Sequence, residues 1–189
     1  MSELAALVTQ FAASVASGST EIYNEFSLQH ELGGFLRREL SQYKVQFDRN
    51  VRYFAPQSAG FVKREIDISV FAPDKSELKY AIELKYPRNG QYPEQMFSFC
   101  KDIAFLEQMK AVGFSRAALL IFVDDPLFYR GSGEGIYGLF RAGRPITGRV
   151  QKPTGAKNEH VEISGSYVVS WTPVLQKMHY TLVEVGDVG

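Results

Sequence analysis

The stretch from Ala117 to Val123 is apolar at every position and stops at Asp124-Asp125-Pro126. A strand with water on one face alternates polar and apolar side chains; an uninterrupted apolar run requires cover on both faces, so this segment predicts an interior strand between layers of helix. The residues before it supply its neighbours. Pro93 stands where a first helical residue belongs and Gly113 is a stop signal, and Met96, Phe99, Cys100, Ile103 and Leu106 recur between them as an apolar stripe. Upstream lie two strongly β segments, Arg64 to Phe71 and Lys79 to Tyr86, joined by Ala72-Pro73-Asp74-Lys75-Ser76-Glu77-Leu78, whose Pro, Asp and Ser suit a hairpin connection. Strand, helix and buried strand form a parallel crossover unit, whereas the hairpin is antiparallel. The expected fold class is therefore α/β, with a mixed central β-sheet flanked by helices.

The rest of the chain extends this unit. Leu4, Leu7, Phe11 and Val15 mark one side of a first helix, and Phe26, Leu28, Leu32, Phe35, Leu36 and Leu40 mark a second over about 22–40. Gly33 and Gly34 would weaken that helix by roughly 1 kcal/mol each, which points to close backbone packing or a kink. Tyr43 to Phe54 alternates as a strand with a polar interruption at Asp48 to Asn50. Gly131 to Gly148 holds six glycines and reads as a long loop or flap. Two more strands are expected over 159–171 and 178–185, added to the core. With 189 residues, the chain is expected to form a single domain over 1–189 with its core at about 22–125.

Composition excludes several classes of function. Twenty-one basic residues balance 21 acidic ones, so binding to a polyanion through bulk charge is ruled out and any anion-binding surface must be local. Charge is in fact segregated: residues 1–36 carry four acids and no Lys or Arg, residues 37–64 carry seven bases and two acids, and residues 130–157 carry six bases against Glu134. Cys100 is the only cysteine and the three histidines are scattered, which excludes an intrachain disulfide and four-cysteine zinc frameworks, speaks against a His-built zinc site and fits a reducing compartment, read as the cytoplasm. No apolar run approaches the ~20 residues of a membrane span, and no Lys or Arg precedes Arg37, so neither a membrane partner nor a signal peptide is expected.

The chemistry concentrates on the hairpin. If it is centred near Lys75, residues whose numbers sum to 150 face one another, which sets Asp67 across from Glu83, with Lys85 one pleat further along the same face. Two carboxylates opposed in a sheet repel unless a cation intervenes. Oxygen ligands of this kind suit Mg²⁺ or Mn²⁺, and a lysine beside them could position a water and offset charge developing on an attacked phosphodiester.

The pattern Ile66-Asp67, fifteen residues, then Glu83-Leu84-Lys85 resembles the core motif of the PD-(D/E)XK, or restriction-endonuclease-like, nuclease superfamily, with Ile66 in the place of the Pro. The order helix, strand, hairpin, helix, strand over about residues 25–123 is similar too. The resemblance implies a restriction-endonuclease-like core and a metal-dependent nuclease acting on nucleic acid, DNA above all. Asp67 and Glu83 would hold Mg²⁺ or Mn²⁺, Lys85 would assist the water, and Glu31 on the preceding helix would add a third acid, as metal ligand or through a bridging water. Exonuclease-like members carry a Gln and a Tyr four residues apart in the next helix; here Gln95 is followed by Phe99. Arg37 and Arg38 near Glu31, together with Gln95 and the set Arg141, Arg144, Arg149, Lys152 and Lys157, are candidates to contact the nucleic-acid backbone, and a homodimer is compatible with the family. Tyr86, Tyr92 and Tyr129 could stack on bases. The competing class is a non-catalytic nucleic-acid-binding or assembly module on the same scaffold.

Overall fold

The computed structural model describes residues 1–57, 59–155 and 158–186. The chain begins with two helices, α1 (Glu3–Ala16) and α2 (Glu25–Glu39). The Ser2 hydroxyl accepts from the Ala5 N–H at 3.0 Å to cap α1, and Asn24 and Ser27 form a reciprocal capping box at the start of α2. Leu4, Leu7, Phe11 and Val15 are buried as the periodicity predicts, but Phe26 is 79% exposed, so the apolar stripe of α2 begins only at Leu28. Gly33 is explained by close packing: a Cβ there would lie 2.1 Å from the Phe47 ring. At Gly34 a Cβ would meet nothing within 4 Å.

Six strands form one mixed sheet. β1 (Lys44–Asn50), β2 (Glu65–Phe71) and β3 (Leu78–Lys85) are antiparallel, β3 runs parallel to β4 (Arg116–Val123) through the crossover helix α3 (Tyr92–Val112), and β8 (His179–Val185) closes antiparallel on β4 with the two-residue β7 (Thr172–Pro173) outside it. The sheet order is β1-β2-β3-β4-β8-β7. This is the α/β class with a mixed central sheet that the sequence predicts. α1 and α2 cover one face over Ile68, Val70, Ile82, Leu84, Leu120 and Phe122; α3 covers the other over Ala81, Leu119, Ile121 and Val183. β4 is therefore buried on both sides, as its unbroken apolar sequence requires. Gly113 ends α3 at φ 116, a left-handed conformation that glycine adopts without a Cβ penalty.

Three expectations are corrected. The strand expected over Tyr43 to Phe54 runs only to Asn50, after which Val51–Tyr53 turn as a 3-10 helix; Asp48 is kept within the strand at φ 47, in the left-handed region that Asp tolerates better than most residues. Gly131 to Gly148 is not a structureless flap but contains the short helix α4 (Tyr137–Arg141) and the start of β5 (Ile146–Gln151). It is organised by arginines: Arg144 donates to the carbonyls of Gly133 (2.8 Å) and Gly135 (2.6 Å), and Gly138 makes room for its guanidinium. Finally, of the two C-terminal strands only β8 joins the central sheet. β6 (His160–Tyr167) pairs instead with β5 as a separate two-stranded ribbon packed on α3.

Candidate functional site

The hairpin register sums to 150 at Ile68–Ile82, Ser69–Ala81 and Val70–Tyr80, and a bulge shifts it at Phe71. The ladder stops one residue short of Asp67 and Glu83, and side chains take over its hydrogen bonds. The Leu84 N–H donates to Asp67 Oδ2 at 2.8 Å, and the Asp67 N–H faces Glu83 Oε1 at 3.3 Å. This replacement twists the strand. Ile66 packs in the α3-side cluster while Ile68 and Val70 pack under α1 and α2, so the two-residue alternation of a regular strand fails at Asp67. Asp67 and Glu83 therefore meet through these hydrogen bonds just beyond the end of the paired ladder.

Four acids and two lysines meet there. Glu83 is fully buried on β3, and Asp102, 3% exposed, descends from α3. The Lys63 ammonium contacts the Glu83 carboxylate and lies 3.2 Å from Asp102 Oδ1 and 3.8 Å from Asp67 Oδ1. Lys85 Nζ donates to the Leu84 carbonyl at 2.8 Å and lies 3.4 Å from Asp102 Oδ2 and 3.8 Å from Glu25 Oε1. Glu25, in the first turn of α2, also accepts from the Tyr86 N–H at 3.3 Å. A small cleft of about 80 Å³ leads in beside Asp67, lined by Glu25, Phe26, Gln29, Asp48 and Leu84. Gln29 props its floor by donating to the Asp67 carbonyl at 2.8 Å.

The electrostatics follow from this crowding. Burial raises the pKa of Glu83 well above the ordinary carboxylate value, and the neighbouring Asp67 and Asp102 push it further in the same direction, against the pull of Lys63. Burial also raises Asp67 and Glu25, each opposed by a nearby lysine. Burial works against the Lys63 ammonium, but Glu83, Asp102 and Asp67 outweigh it and raise its pKa; Asp102, Glu25 and Asp67 do the same for Lys85. Both lysines therefore remain ammonium groups at neutral pH, and four carboxyls share only two cations. Asp102 Oδ2 is buried without a hydrogen-bond partner. Hard oxygen donors in excess of their cations, one of them unsatisfied, have the chemistry of an Mg²⁺ or Mn²⁺ site. Yet among the described residues no group of three or more His, Cys, Asp or Glu side chains stands ready to hold a metal ion. Lys63 fills the space between Asp67, Glu83 and Asp102.

Asp67, Glu83 and Lys85 thus come together, and Glu31 does not join them. It faces His30 at 3.5 Å on the outer side of α2, its side chain 43% exposed. The helix points its N-terminus at the strand ends, so the acid within reach is Glu25, in the first turn. Lys63, Asp102 and Glu25 are the members that sequence reasoning missed. Asp102 carried a signal, an acid flanked by the apolar positions Phe99, Cys100, Ile103 and Leu106 of a helix buried along that stripe. Lys63 carried none beyond its place four residues before Asp67.

Most of the expected nucleic-acid contacts are occupied within the fold. Arg37 donates to the Val45 carbonyl at 3.1 Å and lies over the Phe47 ring, and Arg38 lies over Phe35. Gln95 donates to Asn89 at 3.0 Å. Arg141 ties down the carbonyls of Leu127 and Ser132, Arg149 pairs with His160 at 3.0 Å, and Lys152 pairs with Glu159. Lys157 lies outside the described residues. Tyr86 is buried, so it offers no stacking face. Among the described residues, the large aromatic side chains that stand mostly in water are Tyr23 and Phe26, at the entrance to α2, and Phe26 lines the cleft beside Asp67. Among these described residues, no helix is long and apolar enough to cross a membrane. No family profile, curated protein or solved structure matches this chain significantly.

Proposed function

We propose that the chain is a metal-dependent nuclease on a restriction-endonuclease-like scaffold, hydrolysing phosphodiester bonds in DNA. The observation that carries this reading is the convergence of Asp67, Glu83 and Lys85 where the β2–β3 ladder opens, in a cluster whose carboxyls outnumber its ammonium groups. Asp67 and Glu83 would hold Mg²⁺ or Mn²⁺, with Asp102, whose Oδ1 meets the same Lys63 ammonium, beside them. A divalent ion there supplies Lewis-acid polarisation of the phosphate. In the hydrolysis, a water oxygen forms a bond to phosphorus, one P–O ester bond breaks, and the departing oxygen gains a proton. Lys85 stays protonated, so its part is to donate a hydrogen bond and stabilise negative charge rather than to act as a base. Glu25, at the outer end of the Lys85 ammonium, holds that side chain in place.

A second reading has its own support. Lys63 already neutralises the space where a cation would sit, which favours a scaffold that binds nucleic acid, or assembles with it, without turnover. One experiment separates the two. Purified protein is incubated with plasmid, single-stranded DNA and RNA in Mg²⁺, Mn²⁺ or EDTA. We expect metal-dependent fragments that disappear in Glu83→Ala and Lys85→Ala, with both variants retaining wild-type circular dichroism. A mobility shift without fragments under every condition would establish the binding module instead.

A further inference from the structure

Lys63 also lines a second, larger concavity, a cleft of about 330 Å³ whose walls include Asn50, Arg52, Gly60, Phe61 and Arg64. Arg52, Lys63 and Arg64 are its charged lining residues, and no acid lines it. Arg52 and Arg64 are exposed, and among the described residues neither side chain makes a hydrogen bond or an ion pair. This distinguishes them from Arg37, Arg141, Arg144 and Arg149, which are committed to carbonyls or a histidine. The cleft is also built rather than accidental. Gln108 on α3 clamps one wall by accepting from the Val62 N–H at 2.9 Å and donating to the Gly60 carbonyl at 3.2 Å. The Val51 N–H donates to the Arg64 carbonyl at 2.9 Å, and the Asn50 side chain accepts from the Arg52 N–H at 3.0 Å, fixing the opposite wall. Gly60, at φ 80, leaves bare backbone facing the opening.

We propose that this cleft is an anion subsite that takes one phosphate of a DNA backbone, adjoining the carboxyl cluster through their shared residue Lys63. The inference rests on the nucleic-acid reading above and adds where a phosphate next to the reacting one is held. Arginine forks without carboxylate partners on a pinned backbone suit the tetrahedral, doubly accepting oxygens of a phosphodiester. Such contacts give a term in binding that weakens with salt and carries no sequence information.

The test is fluorescence anisotropy with a labelled 12-nucleotide single-stranded DNA in EDTA, where binding is read without cleavage, over a series of NaCl concentrations. The double substitution Arg52→Ala with Arg64→Ala should weaken binding about tenfold at low salt and make the plot of log K against log salt shallower by about 1.4, two contacts at roughly 0.7 each. Arg52→Lys with Arg64→Lys should keep most of the salt slope, which separates lost charge from lost structure, and melting curves report folding of both variants. Unchanged affinity and slope in the alanine pair would overturn the subsite. So would arginine-dependent protection by inorganic phosphate in a thermal shift combined with no binding of the oligonucleotide, since that pattern marks a small-anion site. Cleavage is read separately: arginine-dependent binding without metal-dependent fragments would retain the subsite and reject the nuclease reading, and fragments with arginine-independent binding would do the reverse.

Discussion

Two buried acids on α3, five residues apart, have opposite settings. Glu107 accepts from the Ser164 N–H (3.0 Å), the Gly165 N–H (2.7 Å) and the Tyr167 hydroxyl (3.0 Å), so its oxygens are met by fixed donors of the β5–β6 ribbon. Asp102 faces the flexible cations Lys63 and Lys85, and its Oδ2 has no hydrogen-bond partner. A satisfied buried carboxyl contributes to structure; one left partly unsatisfied is a standing cost that a purely structural role would not retain. The helix thus docks a ribbon with one acid and supplies the candidate site with the other.

Exchanging each acid for its amide tests that division most directly. Asp102→Asn should lower metal-dependent cleavage on the order of 100-fold, the scale of a lost charge-stabilising group in a dry site, while leaving the melting temperature near wild type. Glu107→Gln should do the opposite. Its amide nitrogen would confront N–H and O–H donors, destabilising the fold by about 1–3 kcal/mol in urea unfolding, with cleavage by the folded fraction unaffected. Equal stability losses in both variants would remove the distinction between the two acids.

How much of this was legible in sequence follows from range. Local signals served well: Pro93 and Gly113 bounded α3, the Pro-Asp-Ser connection placed the hairpin, and the unbroken apolar run of β4 required two covered faces, which α2 and α3 provide. The register arithmetic brought Asp67 and Glu83 together because a short antiparallel hairpin fixes its own pairing. What failed depended on long-range placement. Glu31 and Glu25 lie on one helix, and only the direction from which α2 meets the strand ends decides which acid reaches Lys85. The pairing of β6 with β5 rather than with the central sheet required knowing that arginines fold the glycine-rich segment into α4 and a strand. Lys63 approaches from a connecting segment, where neither period of two nor of 3.6 applies.

Lys63 sharpens the contrast between the two acids at a smaller scale. Lys63→Met would leave Glu83, Asp67 and Asp102 facing one another without their shared cation, an arrangement that loses on the order of 2 kcal/mol when a largely buried pair is broken from one side. The loss should shrink as pH falls from 8 to 5, because Glu83 and Asp67, both raised by burial, take up protons and the repulsion that the lysine had masked is relieved. The hydrogen-bond partners given above for Glu107 are neutral donors, so the loss in Glu107→Gln has no shared lysine to unmask and serves as the reference for this comparison. A Lys63→Met penalty independent of pH would mean that the lysine acts by packing rather than by charge.

The smallest effect is a linkage between pH and divalent cations. Asp67, Glu83 and Glu25 have folded-state pKa values raised by burial, so each contributes stability that is present below its ordinary value (3.8 for Asp67, 4.5 for the two glutamates) and is lost as pH rises through the folded value. Metal-free protein should therefore lose part of its stability between pH 5 and pH 8. Cation uptake needs the same carboxyls deprotonated, so millimolar Mg²⁺ should add little to the melting temperature at pH 5 and progressively more toward pH 8, roughly 2–4 °C for each kcal/mol of linkage in a chain of this size. Glu107→Gln should retain the whole Mg²⁺ increment on its lower baseline, whereas Asp102→Asn should lose much of it. A pH-independent increment would place Mg²⁺ on the outer surface, and its absence in wild type would leave Lys63 and Lys85 as the cations these carboxyls accept.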